Sequence, residues 1–220
     1  MRRESGFTLI ELMIVIAVLA VSLSIALPSF SRTIANSKVR ATAESILAGL
    51  RDARSTAIQR NAPVRFQLVS SLDSSCTLLA DSLTTSPPTP LQWITTETDQ
   101  VFAGNPTGLC DMDAWSPPYP CVDSGAHHCV NDPFIISKSA ITPDSSITVS
   151  ADQPIVVFSP LGRITNDPST MTGYGNNAAT RIQVRSTITG TRQLDIIISA
   201  PNGSFKLCDA QAATGSANGC

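Results

Sequence analysis

Residues 7–27 read FTLIELMIVIAVLAVSLSIAL, and this stretch decides how the rest of the chain is organised. It is almost continuously apolar, and roughly 21 residues at about 1.5 Å each make about 30 Å of helix, the thickness of a hydrocarbon core. Arg2 and Arg3 precede it. Basic residues stay on the cytoplasmic side, so the chain beyond Pro28 is expected across the membrane. A secretory signal peptide ending at Ser24-Ile25-Ala26 fits less well, because the run exceeds the usual apolar length of about 7–15 residues and a carboxylate interrupts its start. A twin-arginine signal is disfavoured by Glu4 directly after Arg3. A plain anchor explains the length but leaves Glu11 unexplained. An ionisable group at the centre of a spanning helix costs about 2.5–3.5 kcal/mol, and less near an end. No basic side chain lies between Phe7 and Phe30. Glu11 therefore either reaches the cytoplasmic interface or meets a terminus, a headgroup or another protein.

Outward from this segment, the 220 residues allow one ordinary domain, and 42% hydrophobic content is enough to give it a core. Fifteen Lys and Arg against seventeen Asp and Glu leave a net charge of −2, so no global field favours nucleic acid or an anionic surface. All six cysteines, Cys76, Cys110, Cys121, Cys129, Cys208 and Cys220, follow the apolar segment. An even count on that side of a membrane predicts disulfides in an oxidising compartment.

Pro28 predicts a bend in the helix without ending it. Beyond it Val39, Ala43, Ile46, Leu47, Leu50, Ala53, Ala57 and Ile58 recur at spacings of three and four, the stripe of an amphipathic helix that stops before Pro63. Lys38, Arg40, Arg51, Arg54 and Arg60 fall mostly on other faces and read as a solvated or subunit-facing surface. After Pro63 the texture changes to short β-prone runs at 64–69, 91–95, 134–137, 146–150, 155–159, 181–187, 194–199 and 204–208. Turn residues at Pro160-Leu161-Gly162, Thr189-Gly190 and Asn202-Gly203 separate the later runs. The expected fold is α+β: a long N-terminal helix, half transmembrane and half amphipathic, packed on antiparallel β-sheet. Residues 70–133, rich in proline and holding four cysteines, read as an inserted loop or small appendage. Local closure favours Cys208 with Cys220 and Cys121 with Cys129, which leaves Cys76 with Cys110 by elimination.

The string Gly6-Phe7-Thr8-Leu9-Ile10-Glu11, after a short basic leader and before an apolar helix, resembles the class III signal of type IV pilins and type II secretion pseudopilins. The resemblance implies cleavage after Gly6 by a prepilin peptidase, N-methylation of Phe7, and a role for Glu11 in setting assembly register against the Phe7 amine of a neighbouring subunit. It divides the chain into a cytoplasmic leader (1–6), an N-terminal helix (7–61, with 7–28 in the membrane) and a periplasmic or extracellular β-rich domain (62–220). Three further features resemble the GspH/FimT branch of minor pilins and pseudopilins: the RDARSTAIQRNAPV segment, the turn Phe158-Ser159-Pro160-Leu161-Gly162-Arg163, and a closing strand after Pro201-Asn202-Gly203. That likeness is best over residues 1–68 and about 155–209. It implies a structural subunit of the inner membrane that joins major and other minor pilins or pseudopilins, initiating or capping a type IV pilus or a type II secretion pseudopilus. Tip adhesion is an alternative.

No catalytic group or cofactor is expected, since no nucleophile elbow, phosphate loop or paired-carboxylate motif occurs. Cys121, His127, His128 and Cys129 suggest zinc, but they lack a C-x-x-C pair and adjacent His-Cys ligands chelate poorly, so no metal is expected. DNA capture is the main functional alternative. Some related minor pilins use a C-terminal Gly-Arg-x-Arg motif; here the matching stretch is Gly203-Ser204-Phe205-Lys206, with one basic residue in place of two. Under that reading Lys206, Arg163 and Arg192 are the phosphate contacts.

Overall fold

The computed structural model describes residues 8–78, 92–97, 110–111, 135–140, 144–165, 178–213, 215–216 and 218–220, with the side chains of 25–28 excepted. Among the described residues one helix forms, α1 (Leu9–Arg60), which runs 52 residues and passes Pro28 without ending. Asn61 closes it in the left-handed conformation at φ 52°, and its N–H bonds the carbonyls of Ala57 and Ile58. Pro63 then excludes further helix.

Among the described residues, the chain behind the helix forms nine strands: β1 (Val64–Val69), β2 (Gln92–Glu97), β3 (Ile135–Lys138), β4 (Ile147–Ala151), β5 (Ile155–Phe158), β6 (Ile164–Thr165), β7 (Arg181–Ser186), β8 (Leu194–Ser199) and β9 (Ser204–Asp209). They make a five-stranded sheet in the order β3-β2-β1-β5-β6 and a four-stranded sheet in the order β4-β7-β8-β9. Every pairing is antiparallel. Both sheets lie on the second half of α1, so the fold is the expected α+β arrangement. β6 has no counterpart in the sequence reading. Two residues carry too little pattern to detect, and β6 arises because the turn before it closes through Ser159 N–H to Arg163 O at 2.9 Å.

The helix seam is Ala35, Val39, Ala43, Ile46, Leu47, Leu50, Ala53 and Ala57, all buried. Its alanines let the sheets approach closely. Ile58 departs from the expected stripe and is 52% exposed. It lies about 100° round the helix from Ala57, off the inward face, where it lies against the Gly162 turn instead. At Gly49 the Trp93 ring crosses the helix, and a Cβ there would stand 2.7 Å from the indole. Trp93 Nε1 donates to Ser45 Oγ at 3.0 Å, and Phe66 stacks on the indole with centroids 5.8 Å apart.

β1 is buried on both faces. Val64, Phe66 and Leu68 join the helix-side core, while Val69 joins a second core of Cys76, Leu78, Ile94, Cys110, Ile135, Ile155 and Val157 on the reverse of the sheet. The described ends of the middle segment, Cys76, Leu78 and Cys110, are therefore packed into the domain's body. Leu78 bridges to Val69, and a disulfide joins Cys76 to Cys110. Arg65 and Gln67 are buried on that same reverse side, where Gln67 Nε2 donates to Thr96 Oγ1 at 2.7 Å. Cys121, Cys129, His127 and His128 lie outside the described residues.

Candidate functional site

The first functional element is the front half of α1. From Leu9 to Leu23 its large apolar side chains are exposed, and the described span reaches a mean hydropathy of 2.7 with none of it buried against the domain. Length and composition suffice to cross a membrane. Gly6 and Phe7 lie outside the described residues, but Thr8 and Glu11 do not. Thr8 caps the helix: its Oγ1 accepts the Glu11 N–H at 3.3 Å, and Glu11 Oε2 accepts the Thr8 N–H and hydroxyl at 3.0 Å each. This reciprocal capping box gives Glu11 a partner within its own chain. Sequence reasoning sought that partner elsewhere, although Thr-x-x-Glu ahead of an apolar run is the local signal for it.

A second element joins helix to sheets. Arg54 donates from Nη1 to Gly203 O at 3.0 Å. Gly162, at φ +69°, leaves room where a Cβ would stand 2.8 Å from Ile58 Cδ1 and 3.1 Å from Arg54 Nε. Gly203, at φ +66°, approaches the Gly162 carbonyl so closely that a Cβ would stand 2.9 Å from it. The three stretches that carry the GspH/FimT likeness thus meet at one junction, although they are far apart in sequence. The basic face of the helix is largely spent on such joints. Lys38 pairs with Asp144 at 2.6 Å and Arg60 with Glu97 at 3.2 Å, while Arg40 pairs along the helix with Glu44 at 2.7 Å. Lys38 and Arg40 stay 45% and 66% exposed in these pairs, whereas Arg60 is reduced to 28%. The Lys38 ammonium and the Ser146 hydroxyl and amide hold the Asp144 carboxyl well below the ordinary carboxylate range.

The third element is a C-terminal strap. Cys208 is bonded to Cys220, Asp209 N–H donates to Asn218 O at 2.7 Å, and Lys206 Nζ donates to Gly219 O at 2.8 Å. Asp195, on the neighbouring strand opposite Cys208, is only 1% exposed and sits between Arg181 (2.9 Å) and Arg185 (2.6 Å). Between the strap and α1 lies an open groove of about 700 Å³ with Asn36, Ser37, Arg40, Arg192 and Asp209 in its walls. No sequence motif announced it, because its walls come from three separated segments.

The cations of the DNA reading do not form one patch. Arg192 precedes β8 and lines the groove, whereas Arg163 adjoins Ile164, whose N–H bonds Pro201 O beyond the other end of β8. Six residues of strand put about 20 Å between those ends. Lys206 is held by the strap.

Comparison with known families places these elements. The prokaryotic N-terminal methylation motif matches residues 1–27, and the type II transport protein GspH family matches residues 42–201. No curated protein and no solved structure gives a match. With nearly three quarters of its length matched, including the RDARSTAIQRNAPV segment and the Phe158–Arg163 turn of the Arg54 junction, the chain belongs to the GspH family of type IV pilin-like proteins.

Proposed function

We propose that this protein is a minor pilin or pseudopilin that initiates or caps a filament, either a type IV pilus or the type II secretion pseudopilus. The observation that carries the reading is the division of α1. The apolar seam of its second half is buried by two sheets, while its first half leaves an apolar surface with a single carboxylate for lipid or for neighbouring helices. Cleavage after Gly6 by a prepilin peptidase would create the Phe7 amine, the site of methylation. Glu11 would then exchange its Thr8 contacts for the amine of an adjacent major or minor subunit. Such an exchange keeps the carboxylate partnered in the membrane-held and assembled forms alike, so its desolvation is offset in both.

Glu11→Ala is the direct test. Processing of the leader should continue, and incorporation into sheared filaments should fall well below wild type. Normal incorporation of this variant would overturn the pairing. A deletion strain scored for twitching, exoprotein release and DNA uptake separates pilus from pseudopilus. Loss of DNA uptake alone, with filaments intact, would instead favour the DNA-capture reading through Lys206, Arg163 and Arg192.

A further inference from the structure

One pole of the β-domain carries positive charge at the height where α1 leaves its apolar half. Arg32 is exposed, and its guanidinium lies over the backbone of Gly190, where a Cβ would stand 3.5 Å from Arg32 Cζ. One helical turn on, Asn36 Oδ1 accepts the Arg192 N–H at 2.8 Å. These two contacts fix the turn between β7 and β8 beside helix residues 32–36. Neither the helical stretch PSFSRTIANS (28–37) nor the turn TITGTRQ (187–193) contains an acidic residue. Lys38 and Arg40 are neutralised by Asp144 and Glu44, but among the described residues no carboxylate pairs with Arg32 or Arg192. A chain of net charge −2 thus keeps two guanidiniums without a direct ion pair on this turn and the helix beside it, the carboxylate of Asp209 lining the groove on the Arg192 side. Phe30 and Ile34, one turn apart on the helix, are 66% and 42% exposed there.

Position along the helix says what faces this pole. Arg32 stands five residues beyond Leu27, about 7–8 Å along the axis, and the headgroup layer is about 5–8 Å deep on each side of the hydrocarbon. With the apolar half spanning the bilayer, Arg32 and the Gly190 turn come level with the lipid phosphates. Arginine is well suited to that depth, with an apolar stem in the interface and a planar donor fork for phosphate. We propose that, before assembly, this pole rests on an anionic phospholipid surface, with Arg32 and Arg192 on headgroup phosphates and Phe30 in the interfacial layer. The inference depends on the reading that α1 spans the membrane. Its consequence is a domain held at a set height above the bilayer, with contacts that must be given up as the subunit is drawn into a filament.

The test uses the full chain in nanodiscs of phosphatidylcholine alone and of phosphatidylcholine mixed with phosphatidylglycerol, with amide hydrogen exchange followed at residues 187–192. Exchange should be at least about threefold slower in the mixed discs, and high salt should remove the difference. Arg32→Glu combined with Arg192→Glu should abolish the protection, and the corresponding pair of Lys variants should largely retain it. Unchanged exchange at seam residues 43–57 serves as the control for folding. Equal exchange in both lipids, or protection that survives charge reversal, overturns the proposal while leaving the spanning helix intact. A chain that does not co-purify with either disc overturns the spanning reading and this proposal with it. Should the charge-reversed chain misfold, the lipid and salt comparisons on the native chain still decide.

Discussion

Gly49 shows how much a single missing methyl group can matter in this protein. The indole of Trp93 and the ring of Phe66 both come within 2.9 Å of where a Cβ would stand, so neither can remain in place if one is added. Gly49→Ala gains helix propensity but overpacks this contact, and should lower stability by about 1–3 kcal/mol. The midpoint of urea unfolding measures it, with far-UV helicity unchanged. Asp144 sets a different dependence. Its carboxyl titrates below its unfolded value of 3.8 because Lys38 and Ser146 bond the charged form. The associated stability is therefore complete above that value and is lost as pH falls through the lower folded one. Since the pair is at the surface, Asp144→Asn should cost about 0–1 kcal/mol at pH 7, and the difference from wild type should shrink in strong acid.

At the scale of elements, α1 is held by charge and by turn geometry as well as by its apolar seam. Removing the Arg54 guanidinium leaves the Gly203 carbonyl without that donor and loosens the meeting of the two glycine turns. Arg54→Met, which keeps much of the stem, should cost about 1–3 kcal/mol in the same unfolding assay. The strap on β9 is a second such element. Its disulfide closes a loop of 12 residues and places Gly219 against Lys206 and Asp209. Replacing both Cys208 and Cys220 with Ser should cost about 2–4 kcal/mol and speed proteolysis within residues 210–220. The Cys76–Cys110 pair should remain resistant in that variant, because its sulfurs lie in a separate core.

Across the whole molecule, legibility followed the range of the interactions. Periodicity is a local property, so the helix, eight of the strands and the buried seam could be read from residues a few positions apart. The Gly6-Phe7 junction, Glu11 and the apolar run likewise carried the family assignment, since leader, cleavage site and membrane segment are contiguous in the chain. Range alone does not explain the remaining errors: Ile58 satisfied the spacing but lay off the inward face, and the Thr8 capping box was local yet passed unrecognised. What depended on folding was the convergence of distant segments. Whether β1 is buried once or twice depends on residues near 76 and 110 returning to its reverse face. Whether Lys38 and Arg60 meet carboxylates depends on segments about a hundred and about forty residues away. The pattern of a linear chain can place a residue on a face. What that face meets is decided by chain segments whose approach is governed by the packing of both sheets around one helix.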